Sequence, residues 1–386
     1  MNRNLINLII LWILSLVGIS FYGGVLSYGI FFVLTMIPLI SLLYILIVYF
    51  RFRIYQRLDA ANLVCGHESE FYFTLQNEGP VGFFGVKVRF YSSFSTINGI
   101  DDGVEYELAP NTGIQKMTGL LCRYRGEYEV GIERVVISDH FRLFTISYRN
   151  REPLRVNVKP DLVTLNELKS ADITLSAPRE QMTNPIQPDI LVREYVNGDD
   201  MRRINWKATA STGKLMVREY IGEERHGVGI ILDPRRVNGN MHEYIPTESK
   251  VLETVLALAM FFCGRKTPVS VYSMSSALSE DDVAMGQKFE EFYEKMSGFM
   301  FRENADTDLM HSMMLQSGTV FCKKTVFMVS HTWDDANKGF AGALWESGIP
   351  VIAYIVGGVP NESDDGGTSH WTVVRIGTDD DLTEVL

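Results

Sequence analysis

From Asn4 to Phe50 the chain carries no Asp, Glu, Lys, Arg or His. As one helix this run would be roughly 70 Å long at ~1.5 Å per residue, over twice a ~30 Å hydrocarbon core. It is therefore expected to fold back on itself. The glycines and tyrosines of Phe21–Gly29 suit a turn at a membrane interface. Spans are predicted near Leu5–Ser20 and Ser27–Val48, with Pro38 as a kink in the second.

Beyond residue 58 the pattern shortens. Glu70–Leu75, Val86–Tyr91 and Glu127–Val130 favour β-branched and aromatic residues, and Gly79-Pro80, Asn98-Gly99, Pro110-Asn111 and Gly126 punctuate them as turns. This predicts a small β-sandwich over 59–160. Residues 161–226 read as a linker, broken by Pro178, Pro185 and Pro188, that leads into a charged segment. From Gly227 the pattern changes again. Continuous apolar strands at Gly227–Asp233, Pro268–Tyr272, Thr325–Val329 and Pro350–Ile355 alternate with helical periodicity at Glu248–Lys266, Asp281–Met300, Asp306–Gln316 and Asp334–Glu346. That alternation predicts a parallel sheet with helices on both faces over 227–386. The fold class is thus α/β plus β behind a transmembrane helical hairpin over 1–58.

Charge refines the hairpin. Arg3 precedes it, Arg51, Arg53 and Arg57 follow it, and its turn is uncharged. The positive-inside rule then places both ends, and the soluble domains, in the cytoplasm. A cleaved signal peptide is the competing reading of the first span. One basic residue precedes that span and no A-x-A-like site follows, so a retained, two-span membrane protein is expected. The net charge of −11 argues against a nucleic-acid partner. Cys65, Cys122, Cys263 and Cys322 form no CxxC pair and suggest neither a disulfide framework nor a zinc site.

The segment Val192–Tyr220 opens and closes on VREY and mixes arginines and acids with Tyr195, Ile204, Trp206 and Tyr220. Arg193-Glu-Tyr195, Gly198-Asp199, Arg202, Ile204, Trp206-Lys207, Ala210 and Arg218-Glu219 resemble the signature of the domain of unknown function 58 family. Arg125–Tyr128 and Ser138–Phe144 look like that family's sandwich segment, with His140 where proline is frequent; Ser211 stands where the signature often has arginine. The resemblance implies a membrane anchor, a von Willebrand factor type A-like C-terminal region, and association with MoxR-type AAA+ ATPases. It implies an architecture and a class of partner rather than a reaction.

Type A domains often hold a divalent cation with a DxSxS turn. Here the matching turn is Asp233-Pro-Arg-Arg-Val237. Asp233 keeps the acid, Arg235 sets a positive charge where a cation would lie, and Ser330 and Asp334 are weak additional oxygen donors. Pairing of Asp233 with Arg235 is the plainer expectation, and no cofactor is implied.

Two readings of the signature remain open. As an internal clamp, its arginines pair with carboxylates and stack on Trp206 and the tyrosines, so the two VREY segments approach each other and Trp206→Ala lowers the melting temperature. As a docking surface, Arg193, Glu194, Tyr195, Gly198, Asp199, Arg202, Trp206, Lys207, Arg218 and Glu219 face a partner. The expected function is a non-enzymatic, membrane-tethered adaptor that recruits such an ATPase. The alternative is a hydrolase or transferase using Cys263 or Cys322 with His311 or His331. A P-loop motif is absent from the sequence.

Overall fold

The computed structural model describes residues 3–59, 63–100, 103–169, 189–194, 206–221, 227–275, 277–357 and 371–386. They fall into two compact units, residues 1–161 and 162–386.

The first unit begins with helices α1 (Arg3–Tyr22) and α2 (Val25–Arg51). Both are long and apolar enough to cross a membrane. The chain reverses through Gly23 at φ +51°, a conformation that costs glycine little. Trp12 Nε1 donates to Thr35 Oγ1 at 3.0 Å and its ring meets that of Phe31, so the two helices are locked in antiparallel register. Most of their remaining apolar side chains are exposed. A helix of this hydropathy has no protein core to enter and calls for lipid.

Arg51 ends α2, and the next residue, Phe52, begins strand β1 (Phe52–Leu58). The basic flank expected to close the hairpin segment at residue 58 is therefore part of the sandwich. Its alternation explains why: Phe52 is buried while Arg53, Tyr55 and Arg57 face outward. Three sheets follow, built from β2 (Leu63–Val64), β3 (Glu68–Asn77), β4 (Phe83–Phe90), β5 (Ser95–Asn98), β6 (Glu105–Leu108), β7 (Gly113–Cys122), β8 (Gly126–Val130), β9 (Ile132–Ser138), β10 (Thr145–Arg149) and β11 (Leu154–Lys159). Their orders are β1-β3-β7-β5, β10-β9-β4-β6 and β2-β11-β8. Phe71, Phe73 and Leu75 alternate inward from β3, and the Phe73 ring stands 5.6 Å from Phe90 of β4, joining two of the sheets.

The base of α2 docks on this sandwich. Ser41, Ile45 and Val48 are buried, the Ser41 hydroxyl bonds Asp139, and Tyr44 Oη both donates to Gly82 O and accepts from Phe84 N. Asp139 is itself buried and also accepts from Phe141 N and Phe144 N.

The second unit holds a six-stranded sheet of order β16-β15-β14-β17-β18-β19. Its strands are β14 (Val228–Leu232), β15 (Val269–Met274), β16 (Leu278–Val283), β17 (Thr325–Ser330), β18 (Val351–Val356) and β19 (Thr372–Ile376). Helices α4 (Met241–Gly264), α5 (Gln287–Ser297), α6 (Thr307–Ser317), α7 (Asp335–Glu346) and α8 (Leu382–Val385) connect or follow them. The apolar strands bury both faces. Ile230 and Leu232 pack with α4 and α5 residues such as Leu252, Leu256, Phe289 and Phe292. Ile231 turns to the opposite layer with Met310, Met314, Phe340 and Leu344 of α6 and α7. Helices on both faces match the expectation.

Two readings need correction. β16 is antiparallel to β15, so the sheet is mixed rather than parallel, and Asp281–Val283 lie in that strand instead of a helix. Ser270 and Tyr272 of β15 pair with Asp282 and Glu280 across the ladder, which gives the acidic run an edge-strand role. The boundary of the supposed linker also moves. Leu165 and Leu168 are buried in the sheet core, and Lys169 N donates to Leu386 O at 2.7 Å. The partners of Leu165 and Leu168 lie far along the chain, so their burial leaves no local pattern.

Candidate functional site

Two places bring together residues singled out in the sequence. The first is a hairpin of β12 (Asp189–Glu194) and β13 (Met216–Ile221), which pair antiparallel. The register sets Val192 opposite Arg218, Arg193 opposite Val217 and Glu194 opposite Met216. The two VREY segments therefore meet as neighbouring strands.

Between these strands lies α3 (Trp206–Thr212). Thr209 ties it to β13: its Oγ1 accepts from Met216 N at 3.0 Å and its carbonyl from Gly213 N at 2.9 Å. Lys207 is exposed, and Trp206 is 68% exposed. Tyr195, Gly198, Asp199 and Arg202 lie outside the described residues. At this exposure little of the indole leaves water on folding. Trp206→Ala should change stability by less than about 0.5 kcal/mol. A thermal melt of the full chain in detergent checks this, and a fall of several degrees would restore the clamp.

The second place is the carboxyl end of the central strands. From β14 the chain passes through α4 to β15 on one side, whereas β17 joins β14 on the other. The crevice beyond β14 and β17 is thus a point where strand order diverges, the usual ligand position in open α/β sheets. Asp233 directly follows β14, its amide donating to Val329 O at 3.0 Å, and Ser330 ends β17.

A guanidinium fills this crevice. Arg235 Nε lies 3.0 and 3.1 Å from the two Asp233 carboxylate oxygens, and one Nη reaches Asp233 Oδ2 at 2.7 Å. That same nitrogen donates to Thr332 Oγ1 at 3.0 Å, and the other donates to Asp334. Asp233 is 5% exposed, and the Arg235 amide also donates to its Oδ1. Asp334 caps α7 by accepting from Asn337 N at 3.1 Å. Burial pushes its carboxyl up, but Arg235 and the Asn337 amide outweigh burial and hold it below the ordinary carboxylate range. Burial likewise opposes the Arg235 charge, and the two carboxylates reverse that effect and raise its pKa.

A divalent cation does not fit these residues. The oxygens of Asp233, Asp334 and Thr332 converge on the guanidinium, and Ser330 Oγ is committed to Thr332 O at 2.6 Å. Among the described residues no group of three or more His, Cys, Asp or Glu is placed to hold a metal ion. Thr332 escaped the sequence reading. Its signal was the alternation Ser330-x-Thr332-x-Asp334, which places a hydroxyl and an acid past the end of one strand.

Of the candidate thiol–imidazole pairs, Cys263 and His311 are separated by the sheet. Cys263 packs in the α4 layer, and burial pushes its thiol up to about 11. His311 stacks on Phe340 in the opposite layer at 4.2 Å between ring centroids. Cys263 and His311 therefore stand on opposite faces of the sheet. Burial lowers the pKa of both His311 and His331, so both are neutral at pH 7.

One comparison covers the hairpin and the Asp233–Arg235 part of the crevice. Residues 191–255 match the family model described as Protein of unknown function DUF58. The DUF58 match runs from the hairpin through Trp206 to the Asp233–Arg235 turn and into α4. No curated protein matches the chain. Similar solved structures include a FixG-related protein from Vibrio parahaemolyticus, at 12% identity and TM-score 0.20, covering 28% of this chain and 97% of that one. Proximal thread matrix protein 1 from the mussel byssus aligns at 16% identity and TM-score 0.28, covering 39% of this chain and 42% of that one. A GH20 exo-β-N-acetylglucosaminidase from Vibrio harveyi, in complex with N-acetylglucosamine, aligns at 9% identity and TM-score 0.16, covering 79% of this chain and 57% of its own. At these TM-scores the likenesses carry no argument. The DUF58 match and the two apolar helices together fit a membrane-associated protein.

Proposed function

We propose that this protein is a non-enzymatic membrane tether whose cytoplasmic, von Willebrand factor type A-like sheet domain recruits a protein partner, a MoxR-type AAA+ ATPase. The observation that carries this reading is the arginine-filled crevice. The position where this sheet class holds a ligand contains a guanidinium satisfied by two carboxylates and a hydroxyl. A group so fully paired is suited to rigidifying a surface, and it leaves recognition to the exposed parts of the DUF58 segment.

Trp206 and Lys207 are those parts. A large exposed indole beside a cation is the kind of anchor that gains most from being covered by a partner. Arg193, Glu194, Arg218 and Glu219 belong to the paired strands β12 and β13. Arg3 before the helices and Arg51, Arg53 and Arg57 after them support the cytoplasmic orientation.

The test is binding of the full chain, in detergent or nanodiscs, to a purified MoxR-type AAA+ ATPase with and without nucleotide. Trp206→Ala and Lys207→Glu should each weaken capture by about tenfold or more, roughly 1.4 kcal/mol. Capture equal to wild type by both variants would overturn the docking role.

A further inference from the structure

The hairpin and the sandwich meet at a level that can be measured along the helices. Starting from the Trp12–Thr35 bond, the turn at Gly23 lies about 15 Å away along the axis at ~1.5 Å per residue. In the other direction, Ser41 lies about 9 Å from that bond and Asn4 and Tyr44 about 12–14 Å. Each of these three residues is bonded to the sandwich. Asn4 Nδ2 donates to Phe141 O at 3.1 Å, Ser41 bonds Asp139, and Tyr44 holds Gly82 O and Phe84 N. From turn to sandwich rim the free hairpin is thus about 24–29 Å long, close to the ~30 Å of a hydrocarbon core. A hydrocarbon core spanned by this length would end near the loops that carry Phe84 and Phe141.

Those loops have the composition of an interface. Phe141 is 53% exposed and Phe84 42% exposed, and the His140 ring lies 5.7 Å edge-on to each of them. Beside them a cleft is lined by Arg3, Lys87 and Arg142 with Glu105. Lys87 Nζ and Arg142 Nη both reach Glu105, at 2.9 and 3.3 Å, so these two cations share one carboxylate while Arg3 lines the same cleft. Among the described residues that line the cleft, three are basic and one is acidic. An isolated exposed phenylalanine needs no explanation, but two that lie about one hydrocarbon thickness from the hairpin's turn, beside a cleft lined by basic residues, do.

We propose that the sandwich rim at Phe84 and Phe141 is seated in the headgroup layer of the bilayer that the hairpin crosses, with Arg3, Lys87 and Arg142 receiving the phosphate of an anionic lipid. This rests on the membrane-tether reading. It makes the first unit a spanning hairpin with a monotopic base. The apolar rings enter the acyl boundary, and the cations meet phosphate at the depth where both chemistries coexist.

The test uses full chain reconstituted in phosphatidylcholine vesicles with or without about one-third phosphatidylglycerol, a content chosen to give an anionic surface. Phe84→Trp and Phe141→Trp are read by quenching with lipids brominated at shallow or deep acyl positions, as the difference from wild type. Native Trp12 serves as the reference for the hairpin. The added emission of each variant should be quenched at least twofold more by shallow than by deep bromines. Brominated phosphatidylglycerol should quench it more than brominated phosphatidylcholine, and the Lys87→Gln, Arg142→Gln double variant should abolish that preference. Quenching of Trp12 without quenching at positions 84 and 141 would overturn the seated rim while leaving the tether intact. Equal quenching by the two lipid types would overturn the phosphate site. Failure to quench Trp12 would remove the tether and the rim together.

Discussion

Replacing Arg235 with alanine should destabilise the sheet domain by about 3–5 kcal/mol, because it leaves the Asp233 carboxylate buried without its counter-ion. The loss concerns Asp233 above all. Its side chain is almost wholly enclosed, whereas Asp334 keeps contact with water and can be rehydrated. In a melt this would lower the midpoint of the sheet domain by about 10 °C or more. Arg235→Lys should recover little, since one ammonium cannot reproduce a fork that spans Asp233, Thr332 and Asp334. The double variant Asp233→Asn, Arg235→Met should recover much of it by removing charge and counter-ion together. A loss below about 1 kcal/mol for the alanine variant would show that the guanidinium is ornamental. Acid should act in the same direction. The folded Asp334 carboxyl titrates below its ordinary 3.8. Its contribution is therefore complete above that value and disappears as pH falls through the lower folded one.

Gly227→Ala should cost about 3 kcal/mol or more, although it adds one methyl group. Gly227 has φ +71°, and a Cβ there would lie 2.2 Å from Pro268 O. That carbonyl accepts from Val228 N at 2.8 Å, and Gly227 O accepts from Lys324 N at 3.0 Å. The methyl therefore meets backbone at the point where β14 enters between β15 and β17, and no side chain can swing away to admit it. Urea unfolding of the full chain would register the change as a lower midpoint. An alanine variant as stable as wild type would mean that the turn can be rebuilt.

What the sequence disclosed follows from how local each signal is. Charge-free helices and strands apolar on every residue declare themselves within a few residues, so the hairpin and β14, β15, β17 and β18 were legible. β16 was not. Leu278–Val283 is acidic and hydrophilic, and it becomes a strand because Ser270, Tyr272 and Lys323 receive its carboxylates. Leu165 and Leu168 were lost in the same way, since their partners come from the end of the chain. At the crevice the Asp233–Arg235 pair could be expected from spacing alone. Thr332 and Asp334 are separated from it by about a hundred residues, and only the β14–β17 ladder brings them together. Trp206 shows the opposite failure. An aromatic among charges suggested burial, yet its short helix turns it to solvent.

The single peptide bond between Arg51 and Phe52 has a mechanical outcome. With α2 in a bilayer and its base bonded at Ser41 and Tyr44, helix and sandwich move as one lever without a swivel. Helices answer a thicker or thinner membrane by changing tilt. Here any such change would incline the whole sandwich by the same angle, so bilayer thickness would be converted directly into the attitude of a protein domain.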